Sequence, residues 1–185
     1  MNEKAQREAV AAEARKWLRT PFHHGARIRG GGADCETFIG EVFAAAGVFT
    51  AEGIPYIPEQ WFLHSKEELY LNYLSRYASE YVIGPWPLAV GQSEAALSGQ
   101  RPTTNSQRLP LPADIICVKS RWVYSHGAIV LAWPQVIHCF PPCVMESNAH
   151  YNPVFRGHEI KFFDPWGKHL PQRHRGTERK CEIII

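Results

Sequence analysis

Long apolar runs are missing from this 185-residue chain, and that absence narrows what it can be. No stretch approaches the length of a membrane span, so no membrane span is expected. The first residues, MNEKAQREAVAAEARKW, have no apolar core between a basic start and a cleavage site. They therefore do not read as a secretory signal, and synthesis in the cytoplasm is expected. A strong excess of one charge is also lacking. The formal net charge is +2, which gives no electrostatic reason to expect a nucleic-acid partner. Cysteine is sparse and odd in number, at five, with no paired spacing that suggests a disulfide framework. A reducing compartment fits that usage. Neither a CxxC pair nor HExxH occurs, so no metal and no cofactor is expected. A metal module built from His23, His24, His138, Cys139 and Cys143 is the rival that nine histidines invite.

What is present is the composition of a globular protein, with 45% hydrophobic and 21% charged residues. The length fits one domain over 1–185. Val10, Ala14, Trp17 and Leu18 recur at helical spacing and predict a helix over 3–19. A glycine-rich loop, 21–34, follows Thr20-Pro21. Asp34 is a natural N-cap for a second helix opening at Cys35, with Phe38, Ile39, Val42 and Phe43 as its apolar face and Gly47 as its stop. Ser65-Lys66-Glu67-Glu68 has the form of a capping box and predicts a third helix from Ser65. Residues 84–112 are rich in Pro, Gly, Ser and Gln and read as a long insertion loop. Short apolar runs at 114–118, 127–132, 136–139 and 143–146 predict an antiparallel meander, with a last strand near 160–163. A basic tail covers about 165–185 and reads as a solvated charge run. Helices first and strands afterwards make an α+β fold: N-terminal helices packed on an antiparallel β-sheet.

Cys35 is the candidate nucleophile. A free thiol, with pKa about 8.5, is mostly protonated at neutral pH, and a helix N-terminus favours the thiolate. The same backbone N–H groups could hold an oxyanion. On these grounds Cys35 is expected to be the most reactive thiol, against the plain alternative of an inert buried cysteine. The base must come from elsewhere in the chain. His126 is expected to open one apolar strand, and His138 ends the next. Across a hairpin turning at Trp133-Pro134 the two rings can be neighbours, and one can orient the other. Two core histidines with satisfied hydrogen bonds are the alternative.

Taken in order, Thr20-Pro21-Phe22, Gly30 to Gly32, Asp34-Cys35, Ala113-Asp114, Ser125-His126 and His138 resemble the pattern of the NlpC/P60 cell-wall cysteine peptidases. The resemblance covers about residues 8–147. It implies a papain-like α+β core, with Cys35 as nucleophile, His126 as base and acid, and His138 as the group that orients His126. It further implies hydrolysis of an amide in the peptidoglycan stem peptide, between D-glutamate and a diamino acid. Phe22, His23, Asp34 and Ser125 would contact that substrate. The chain departs from the pattern at Glu36-Thr37, where Ser-Gly is common, at Phe22, where Tyr is usual, and at Ala113. With no secretion signal expected, the chain looks like the phage and prophage branch, assembled into a virion tail beside other tail-tip proteins. A structural tail-tip component with little activity, and an amidase or acyltransferase using the same dyad, are the alternatives.

Overall fold

The computed structural model describes residues 2–49, 54–83 and 108–168. The first helix, α1 (Glu3–Lys16), starts where Asn2 accepts the Ala5 N–H at 2.9 Å and ends with Arg15 and Lys16 in its last turn. Both features suit the helix dipole. The helix stops short of the expected residue 19 because Arg19 adopts φ 67°. That turn lets the Arg19 N–H reach the Val144 carbonyl and the Val144 N–H reach Thr20, tying the helix exit to the sheet. A small ribbon, β1 (Arg27–Ile28) and β2 (Gly32–Ala33), occupies the glycine-rich loop.

Helix α2 (Cys35–Ala45) begins as expected. Asp34 accepts the Thr37 N–H at 2.9 Å, and Thr37 Oγ1 accepts the Asp34 N–H at 3.0 Å, a reciprocal capping box. Gly47, at φ 73°, closes it. The third helix differs from its prediction. After a short 3-10 turn at Trp61–Leu63, α3 covers Leu69–Tyr77 and not a stretch from Ser65. Ser65 Oγ accepts the Glu67 N–H in a local turn, while the Glu68 carboxylate is drawn away to the Tyr124 N–H at 2.9 Å. A tertiary acceptor site has outcompeted the local cap.

The remaining strands are β3 (Ser79–Tyr81), β4 (Ile115–Ser120), β5 (Val123–Ala132), β6 (Gln135–Phe140), β7 (Cys143–Asn148) and β8 (Ile160–Asp164). They form one antiparallel sheet in the order β3-β8-β4-β5-β6-β7. The expected meander is its β4-to-β7 half, and β8 returns to the outer side of β4. Alternate residues face opposite ways. Ile115, Cys117, Ile129, Ile137 and Phe163 meet the helices through Val10, Phe38 and Phe43. Ile116, Val118, Ala128, Val130 and Val136 form a second core on the other face, closed by Ala149 and Phe155. Burial on both faces explains why these strands read as nearly continuous apolar runs.

A buried ionic hub pins the edge of this assembly. Asp114, fully buried just before β4, takes Arg7 at 2.8 Å, Arg108 at 2.9 Å and the Tyr81 hydroxyl at 2.6 Å. Arg7 also reaches Asp164 at 2.9 Å and lies over the Trp166 ring. Trp166 is buried and donates to Gln6, so ordered packing runs into the stretch expected as a tail. Of the expected insertion loop, 84–107 lies outside the described residues, and so does 169–185 of the tail.

Candidate active site

The sheet splits at one place. Strand β5 pairs with β4 as far as Val123, but its pairing with β6 reaches no further back than Ile129. Strand β6 meanwhile stays with β7 down to Phe140. The backbone of residues 125–127 is thereby released from β6. The loop before α2 packs against the neighbouring strands: Pro21 bridges to Cys143 at the start of β7, and the Cys139 thiol of β6 donates to the Ala33 carbonyl at 3.1 Å. This geometry delivers the first residue of α2 to the split. The Cys35 thiol donates to the Ser125 carbonyl at 3.9 Å and receives the Gly127 N–H.

Gly127 is required at that contact. A Cβ there would lie 2.0 Å from the Tyr70 hydroxyl and 2.8 Å from Ile39 Cδ1. The Tyr70 hydroxyl is buried and, among the described residues, has no hydrogen-bond partner. It is thus a polar group left free beside the cysteine.

His126 does not open its strand. Strand β5 begins at Val123, and an irregularity in the β4–β5 register sets His126 inside it. Its Nε2 lies 2.9 Å from Nδ1 of His138, so the expected cross-hairpin pair is formed. Both rings are buried against Phe155, a member of the sheet's far core, and His126 also meets the edge of Phe140. Cys35, in contrast, comes from the helix side. Among the described residues no hydrogen bond runs directly from Cys35 to His126. With Nε2 committed to His138, Nδ1 is the nitrogen left to face a reacting group.

Electrostatics set the resting protonation. Burial, then the Glu36 and Asp34 carboxyls, push the Cys35 thiol well above its ordinary pKa; the Gly127 N–H opposes this. The helix-start position was expected to favour the thiolate. Desolvation and two neighbouring acids outweigh a terminal dipole effect worth about 1 kcal/mol. Cys143, by contrast, is half-buried. Burial, and secondly His138, lower His126 to about 3, and burial lowers His138 to about 4. The resting site is a neutral thiol and two neutral imidazoles.

The expected substrate contacts divide. Asp34 is spent on the cap and on the Gly25 N–H at 2.7 Å, yet it also lines a cavity of about 160 Å³ with Glu36, Arg27, His24 and Tyr56. Glu36 is buried there, and burial followed by Asp34 pushes its pKa up to about 8. Phe22 packs on the helix-side core. His23 is exposed, its ring close over Gly32, so that its neighbour His24 lines the cavity instead. Ser125 contributes its backbone carbonyl. Sequence reasoning missed Glu36, Tyr70, Ser147 and Asn152. The last two continue the polar chain, with His138 Nε2 at 2.9 Å from Ser147 Oγ. Among the described residues no three His, Cys, Asp or Glu side chains are placed to share a metal ion. No helix among them is long and apolar enough to cross a membrane.

No protein-family model matches this chain, and no curated protein matches it. Its fold is similar to the NlpC/P60 domain of the peptidoglycan hydrolase SagA, with a TM-score of 0.50 and 16% identity over 84% of this chain and 96% of that one. Similarity extends, at a TM-score of 0.48, to NlpC1 from Trichomonas vaginalis, 13% identical over 85% of this chain. An NLP/P60-family protein from Staphylococcus aureus subsp. aureus Mu50 also has a TM-score of 0.48, with 15% identity over 87% of this chain. This chain spans 42% of each of those two.

Proposed function

We propose that this protein is a cysteine peptidase of the NlpC/P60 type that hydrolyses an amide of the peptidoglycan stem peptide, between D-glutamate and a diamino acid. The observation that carries the reading is the convergence at the sheet split. A capped helix presents Cys35 to residues 125–127, and the next side chain, His126, is bonded to His138. The likeness in fold to a domain of a peptidoglycan hydrolase supports the choice of substrate.

In this reading the Cys35 sulfur attacks the scissile carbonyl while its proton passes to His126 Nδ1. The charge that develops on the imidazole is shared through Nε2 with His138. The Thr37 N–H is taken by Asp34, so in this reading the Cys35 and Glu36 N–H groups at the start of α2 hold the oxyanion. Collapse breaks the C–N bond, and His126 returns the proton to the leaving amine. Water then cleaves the thioester, with His126 again as base. Because thiol and imidazole both rest neutral, proton transfer accompanies attack and no standing ion pair precedes it.

The resemblance to the phage branch is what suggests a role in tail-mediated wall penetration. Mass spectrometry of purified virions would test that placement. The test of chemistry is release of new amino groups from purified peptidoglycan by the wild type and by Cys35→Ala, with mass analysis of the products. Loss of release in the variant is expected, and equal release by both overturns the mechanism. A second reading, a tail component with little activity, is favoured by one observation: the resting thiol donates to Ser125 and not to His126. Failure of both proteins to release amino groups would select it. The amidase or acyltransferase alternative differs only in the acceptor, which the product masses identify.

A further inference from the structure

The polar chain that begins at His126 does not end at His138. His138 Nε2 lies 2.9 Å from Ser147 Oγ on β7, and Asn152 Nδ2 donates to the same oxygen at 2.9 Å. The Asn152 amide has a fixed orientation, because its Oδ1 accepts the Val154 N–H at 2.9 Å. Phe140 and Phe155 pack around the two rings and offer them no competing polar group.

Two proton arrangements satisfy a neutral pair. In one, Ser147 donates to His138 Nε2, His138 Nδ1–H donates to His126 Nε2, and His126 carries its proton on Nδ1. In the other every bond between the rings is reversed and His126 Nδ1 is bare. The hydroxyl at the end of the chain therefore decides which nitrogen of His126 is protonated. Asn152 already donates to Ser147, and a hydroxyl that accepts a bond becomes a stronger donor. Among the described residues the only partner of Ser147 able to accept its hydroxyl proton is His138 Nε2. All bonds then run one way, from Asn152 through Ser147 and His138 to His126.

We propose that Ser147 and Asn152 are positioning residues that set the tautomer of the His126–His138 pair, and that in the free protein they hold the His126 proton on Nδ1. This rests on His126 acting as the base. The tautomer with a bare Nδ1 is then the one that substrate must draw out.

Asn152→Asp tests this. Its carboxylate still accepts the Val154 N–H, and it accepts the Ser147 hydroxyl where the amide donated to it. Ser147 then accepts from His138 Nε2–H, and the chain reverses. Long-range proton–nitrogen spectra of histidine-labelled protein read the tautomers directly. The expected result is Nδ1–H at His126 in the wild type and Nε2–H in Asn152→Asp. Ser147→Ala, with its methyl in place of the hydroxyl, should populate both. Alkylation of Cys35 should quicken in Asn152→Asp by about tenfold, in line with a gained base. A wild-type His126 already protonated on Nε2, or the same tautomer in all three proteins, overturns the proposal. These spectra need no turnover, so the positioning role can fail while peptidoglycan release succeeds, or the reverse.

Discussion

Replacing Glu36 by glutamine should stabilise the protein, and by an amount that depends on pH. The buried carboxyl beside Asp34 has its pKa pushed up to about 8, whereas an unfolded glutamate titrates at 4.5. An acid whose folded pKa is raised contributes fully below its unfolded value, and that contribution is lost as pH rises from 4.5 to about 8. Integration gives a cost of at most about 4 kcal/mol near pH 7.5 and about 1.4 kcal/mol near pH 5.5. The histidine pair has the opposite sign. His126 and His138 are held to about 3 and about 4, so their contribution is present above the unfolded value of 6.5 and is lost as pH falls below it. Near pH 5.5 each loses about 1.4 kcal/mol, together roughly 3. The two effects nearly cancel between these conditions in the wild type, and Glu36→Gln removes one of them. Urea denaturation followed by tryptophan fluorescence should therefore find a wild type of similar stability at both pH values. The variant should be more stable near pH 7.5 by up to about 4 kcal/mol, a midpoint shift of about 2 M at a slope of about 2 kcal/mol/M. Its advantage should shrink to about 1.4 kcal/mol near pH 5.5. An advantage equal at both pH values, or a variant weaker near pH 7.5, would refute the reasoning.

Three further outcomes follow from the same geometry. On peptidoglycan, His126→Ala should lower the rate about a thousandfold or more, and His138→Ala by roughly ten- to a hundredfold, because an orienting group contributes less than the base itself. Equal losses in initial-rate assays would count against the assigned roles. Gly127→Ala should destabilise by about 1–3 kcal/mol, since its Cβ would lie 2.0 Å from the Tyr70 hydroxyl. Tyr70→Phe in the same background should recover part of that loss in the denaturation midpoint. Arg7→Met should cost about 2–4 kcal/mol by leaving the buried Asp114 with Arg108 as its one guanidinium partner among the described residues. Adding Asp114→Asn should cost less than the separate losses combined, as a double-mutant cycle would measure.

The features legible in the sequence are those decided within a few residues. Asp34 caps α2 because its carboxylate and the Thr37 N–H are three residues apart, so the start of the helix at Cys35 could be read directly. The His126–His138 pair was legible too, since one hairpin joins their strands and alternation sends both rings to one face. Ser65 shows where such reading stops. Its capping pattern was present, but Glu68 found the Tyr124 N–H, a partner 56 residues away. Ser147 and Asn152 carried no signal, because only the approach of β7 to β6 brings them to His138. Cys35 shows the division most clearly. Its place at the head of a helix follows from local hydrogen bonding, which short-range sequence encodes. Its neutral resting state follows from burial at the split between β5 and β6 and from the acids on either side of it in the chain. Desolvation, the larger cause, sums over every element packed around the sulfur, so the tertiary structure decided most of it.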